Sequence, residues 1–155
     1  MAKITLAKNF RDFLKLLRKH RVKYVVVGGY AVAVHGHPRA TGDLDVFVEL
    51  SDKNAAQLAK VFTEFGFGGP EVNAALFSRP GKIIRVGRPP ERLEVMNEIS
   101  GVTFAECYAH RVIFKDQDLP IAFIDLVRLV RNKRASGRLK DLADVESLPP
   151  PPAEK

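Results

Sequence analysis

A single cysteine, Cys107, in 155 residues excludes an internal disulfide and makes a reducing cytoplasm the expected compartment. Long apolar runs are also missing, so no stretch of the sequence is suited to span a bilayer. The start, MAKITLAKNFRDF, carries charge too early and too often to be expected to act as a secretory leader. Acidic residues are in the minority: 18 Asp and Glu stand against 25 Lys and Arg, a net charge of +7. That excess suits a polyanionic partner such as RNA, DNA or a nucleoside triphosphate, although solubility alone accounts for it nearly as well. The length fits one compact domain with a real core, expected over residues 1–148, with a flexible proline-rich tail over 149–155.

What is present is an interspersed pattern of helices and strands. Phe10, Phe13, Leu14 and Leu17 recur at helical spacing, with lysines and arginines on the other faces. Tyr24-Val25-Val26-Val27 reads as a buried strand, which Gly28-Gly29 ends abruptly. Residues 30–35 are apolar on all sides, as in a short buried helix, and Gly36 stops it. Residues 43–49 form a second strand. Ser51 caps a helix whose apolar stripe is Leu58, Val61, Phe62 and Phe65, closed by Gly66. Residues 73–77 form a short helix, and residues 82–86 and 92–96 are strands joined as a hairpin through Gly87-Arg88-Pro89-Pro90. Thr103 and Glu106 make a capping box. Residues 112–114 and 121–123 are short strands; a late helix carries Ile124, Val127 and Val130 and breaks at Gly137. Leu139, Leu142 and Val145 mark one more helix. The expected fold class is α/β (α+β), a mixed β-sheet flanked by helices.

The chemistry concentrates at Asp43-Leu44-Asp45. Side chains alternate along a strand, so Asp43, Asp45 and Phe47 share one face and Leu44, Val46 and Val48 the other. The two carboxylates then lie about 6.5 Å apart. At an effective dielectric near 20 this like-charge pair costs roughly 2–3 kcal/mol unless water or a divalent cation intervenes. Hard oxygen donors without a cysteine or a histidine set favour Mg²⁺ or Mn²⁺ over zinc. Gly28-Gly29, at the turn from a strand into a helix, would expose backbone N–H groups to a phosphate, or simply supply a positive φ. Asp43 and Asp45 precede their apolar strand, unlike the pair in haloacid-dehalogenase-type phosphatases. The chain is also too short for the nucleotide-sugar glycosyltransferases that use Asp-x-Asp.

Gly28-Gly29-Tyr30-Ala31-Val32, His35-Gly36, Arg39-x-Thr41 and Asp43-Leu44-Asp45-Val46 together resemble the nucleotidyltransferase superfamily of DNA polymerase beta. Within it, the minimal and abortive-infection-toxin-like branch is the most similar. The resemblance extends to Arg92-Leu93-Glu94-Val95-Met96, where the family carries its third acid, and to the basic stretch Asn132 to Asp141. It departs at Gly28-Gly29, where many members have Gly-Ser, and at Glu94, where Asp is usual; Glu98 is a rival for that acid. The resemblance implies that Asp43, Asp45 and Glu94 hold Mg²⁺ (or Mn²⁺), and that Gly28 and Gly29 cradle a triphosphate. It implies nucleotide contacts at Arg39, Thr41, Lys133 and Lys140, although helix-end and surface charge explains the two lysines about equally well. The implied reaction moves a nucleoside monophosphate from a nucleoside triphosphate to an RNA or protein acceptor, with an antitoxin as a further expected partner. A silent nucleotide- or RNA-binding module of the same fold is the alternative. His35-x-His37 is not a zinc pair, and Cys107 reads as core.

Overall fold

The computed structural model describes residues 6–36 and 42–153. It begins with α1 (Lys8–Lys19), β1 (Tyr24–Val27), α2 (Gly28–Val34), β2 (Leu44–Val48) and α3 (Asp52–Phe62). A π-helical turn, Thr63–Phe67, ends α3 where Gly66 adopts φ 101°, so the expected stop is correct. There follow α4 (Ala74–Phe77), β3 (Ile83–Val86), β4 (Leu93–Met96) and α5 (Phe104–Ala109). The remainder is β5 (Val112–Asp116), β6 (Leu119–Phe123), α6 (Leu126–Ser136) and α7 (Leu139–Ser147).

Local signals place the helix starts. The Ser51 hydroxyl accepts from the Asn54 N–H, and Thr103 and Glu106 satisfy each other's backbone N–H in a full capping box. β5 and β6 are longer than the sequence pattern implied. The polar run Lys115-Asp116-Gln117-Asp118 is the rim of their hairpin, with Gln117 at φ 55°.

Six strands form one mixed sheet in the order β3-β4-β2-β1-β6-β5. β1 runs antiparallel to β2, whereas β2 and β4 are parallel, as are β1 and β6. Helices cover both faces. On one face Phe13 of α1 packs edge-on to Phe62 of α3, which meets Phe77 of α4. His35, at the end of α2, lies against Phe114 on that same face, and its Nε2 bonds the Ile124 carbonyl at 2.8 Å. The opposite face receives α5 through Phe104 against Phe47. Among the described residues, no helix is long and apolar enough to cross a membrane.

This topology has one consequence for chemistry. The end of β1, the start of β2 and the start of β4 lie side by side at one rim of the sheet.

Candidate active site

Asp45 is the second residue of β2, and the register places it opposite Val27 on one side and Glu94 on the other. Residues paired across parallel strands point to the same face about 4.8 Å apart, so two carboxylates meet at the floor of a cleft. Asp43, just before the strand, is a third at the rim. Burial pushes the Asp45 carboxyl up to about 7; the charges of Glu94 and Asp43 add to the shift, and Lys140 opposes it. Asp45 Oδ1 is buried without a hydrogen-bond partner among the described residues.

Two arginines answer this negative charge. Arg92 Nη2 donates to Asp43 Oδ2 at 2.8 Å and stands 3.3 Å from Glu94 Oε1. Arg85, opposite Glu94 in the β3–β4 hairpin, donates from Nε to Glu94 Oε1 at 2.9 Å. Neither arginine was assigned a role from sequence. The hairpin register carried a signal for Arg85, because it sets a cation directly across from the predicted third acid.

Gly28 explains the upstream glycines. It adopts φ 68°, and a Cβ there would overlap Asp45 Oδ2. Two constraints therefore converge on one residue: a left-handed backbone and contact with the buried carboxylate. Gly29 is buried in the first turn of α2. Replacing Gly28 by Ala is expected to lower stability by about 2–4 kcal/mol, from left-handed strain plus displacement of Asp45. Urea denaturation measures this directly; the same change at Gly137, whose added Cβ would meet nothing within 4 Å, should cost only the backbone part.

The cleft above these residues has a volume of about 400 Å³. Its floor includes Gly28, Asp45, Arg85 and Glu94, and its far wall is the end of α6 and the start of α7. Glu98 also borders it, exposed and beyond the end of β4, so Glu94 is the acid set against Asp45. Lys133 lines the wall, but its Nζ is held 3.0 Å from Asp141 Oδ1 and 3.0 Å from Asp144 Oδ2. Lys140 is exposed near the mouth, close enough for its charge to act on Asp45. Arg39 and Thr41, assigned to nucleotide binding from sequence, lie outside the described residues. Cys107 is fully buried, and burial pushes its thiol up to about 12, which suits the core role expected of it.

Among the described residues, no group of three or more His, Cys, Asp or Glu side chains forms a ready metal cage. The donors nevertheless fit a hard divalent ion in kind: carboxylate oxygens, one of them buried and unpartnered, beside a backbone stripped of Cβ.

A six-stranded mixed sheet flanked by helices, with paired acids at the rim of its central strands, defines a nucleotidyltransferase-like fold. Residues 5–148 match the family described as "Nucleotidyltransferase of unknown function (DUF6036)", and the chain belongs to that family. Among solved structures it is similar to a proposed nucleotidyltransferase from Thermotoga maritima, with a TM-score of 0.56 and 15% sequence identity. That likeness covers 89% of this chain and 86% of the other, and at this identity it speaks for the fold. No curated protein matches the chain. Family and fold together support an enzyme with general nucleotidyltransferase activity.

Proposed function

We propose that the cleft performs metal-dependent transfer of a nucleoside monophosphate from a nucleoside triphosphate to an RNA or protein hydroxyl. The observation that carries this reading is the pairing of Asp45 with Glu94 at the cleft floor, directly against Gly28. Asp43, Asp45 and Glu94 would hold Mg²⁺ or Mn²⁺. When bound, the ion would polarise the phosphate under attack and offset charge on the departing pyrophosphate.

The chain's own residues would do the rest. The backbone of Gly28 and Gly29 at the start of α2 would cradle the triphosphate. Arg85 and Lys140 would offset phosphate charge, with Arg39 and Thr41 as further contacts. Glu94 would accept the proton of the acceptor hydroxyl. The wall formed by α6 and α7 would orient the triphosphate over Asp45.

A second reading has an observation of its own. Arg92 and Arg85 already balance Asp43 and Glu94, as they would in a silent nucleotide- or RNA-binding module. Incubation with Mg²⁺ and each labelled triphosphate, with total RNA and with protein acceptors, separates the two. Transfer of label, together with a Mg²⁺-dependent rise in melting temperature, supports the enzyme. Binding of all four nucleotides without transfer to any acceptor supports the silent module. A cytoplasmic toxin with an antitoxin partner is the proposed setting, tested by whether co-expression of the adjacent gene relieves growth arrest.

A further inference from the structure

The net positive charge is not spread evenly. On α1, Lys8 pairs with Asp12 at 2.8 Å, Lys19 with Glu64 at 2.8 Å, and Arg11 with the buried Asp116 at 3.1 Å. Arg18 and Arg21, from the same helix and the turn after it, have no carboxylate within ion-pair distance among the described residues. Neither does Lys53, at the start of α3. These three, with Lys23 and Arg111, surround a recess of about 410 Å³ that no acidic side chain lines. Lys23 has its nearest carboxylate, Glu49, 3.7 Å away.

The five cations come from α1, the α1–β1 turn, α3 and the α5–β5 turn, so the fold and not a run of sequence gathers them. Arg21 sits at φ 54°, a left-handed position where glycine would be more at ease than an arginine. Tyr108 supplies a flat wall. It stacks on Phe104, and the Arg111 guanidinium lies 3.9 Å from its ring centre. The recess lies at the start of β1, whereas Gly28 and the cleft lie at its other end, about 15 Å of chain away.

We infer that this recess is a docking site for a single strand of nucleic acid, with phosphates on Arg18, Arg21 and Lys53 and a base against the Arg111–Tyr108 stack. Unpaired cations around a concave surface suit the repeated negative charge of a phosphodiester chain. An acidic peptide would satisfy the cations but leave the planar stack unused, whereas an unpaired base stacks on a guanidinium or an aromatic ring.

The test is fluorescence anisotropy of labelled oligouridine RNA, with oligothymidine DNA in parallel, against the full chain. Triphosphate and divalent ion are left out, so the result is independent of the transferase reading. The double variant Arg18→Gln/Lys53→Gln is compared with Lys60→Gln/Lys115→Gln, which removes the same charge outside the recess. Affinity is expected to fall about tenfold or more in the first and under twofold in the second. The slope of log affinity against log salt should shrink by about 1.4 in the first, at roughly 0.7 per phosphate contact. Arg111→Lys keeps the charge and should still weaken binding through loss of the stack. Equal losses in the two double variants, absence of binding to either strand, or equal competition by polyglutamate would each overturn the proposal. Circular dichroism melting confirms that the variants remain folded.

Discussion

Replacing Asp45 by Asn is expected to abolish nucleotide transfer and, in the same protein without divalent ion, to raise its stability. The loss of transfer should be about 10³-fold or more, the scale seen when one member of a concerted catalytic set is removed. The gain has a separate origin. An Asp whose carboxyl is pushed to about 7 binds a proton in the folded state that the unfolded chain, near 3.8, has already lost. Stability therefore falls as pH rises from about 4 to 7, and above that window the buried charge costs about 4 kcal/mol in full. Asn removes the charge but brings no donor to the unpartnered Oδ1 position, so the net gain at pH 8 should be about 2 kcal/mol. Urea denaturation of both proteins across pH 4 to 8, with EDTA present, reads the effect: the parent should be more stable by about 2 kcal/mol near pH 4, the curves should cross between about pH 5 and 6, and the variant should lead from neutrality upward. A variant less stable than the parent at pH 8 would show that Asp45 carries no such strain. Added Mg²⁺ should raise the melting temperature of the parent and leave Asp45→Asn nearly unmoved.

Lys133→Met is expected to have the largest effect on folding. Lys133 is 4% exposed, and its partners Asp141 and Asp144 are 2% and 5% exposed. Burial would by itself raise the Asp141 carboxyl. Hydrogen bonds from Ser136, Lys133 and Arg138 outweigh burial and hold it at about 2. Removing the lysine leaves two buried carboxylates short of their central cation, a change that typically costs roughly 3–5 kcal/mol. The pH dependence runs opposite to that of Asp45. Asp141 contributes stability that is present above pH 4 and lost as pH falls towards 2. The deficit of Lys133→Met should therefore be full at pH 7 and shrink near pH 3, where the stranded carboxylates take up protons. A cost under about 1 kcal/mol at pH 7 would mean that α6 and α7 are held together by other contacts. Because α7 carries Lys140 towards Asp45, the variant should also bind triphosphate more weakly, measurable by calorimetry below its melting temperature.

These two residues divide what could be seen in the sequence from what could not. Asp45 stood out from its neighbours alone: a second carboxylate two positions away, an apolar strand after it, and a double glycine upstream. Its pairing with Glu94 was implied by resemblance to a family, and the parallel β2–β4 register brings the two acids together. Lys133 was legible only as one of several cations in a basic stretch. Nothing local distinguishes it from Arg134 beside it, which is exposed. Its place between two carboxylates depends on α7 folding back on α6. Arg85 and Arg92 are similar, since a cation beside an acid becomes an ion pair only when two strands set the register.

The sequence by itself located the helices and strands, though not every boundary, together with the Ser51 and Thr103 caps and the Gly66 and Gly137 stops, because hydrophobic period, capping hydroxyls and glycine breaks act within a few residues. Only the tertiary structure decided which charges meet. Gly28 against Asp45, Arg92 against Asp43 and Lys133 against Asp141 join different elements, and burial, which sets the strength of each interaction, belongs to no residue until the sheet and its helices have closed around it.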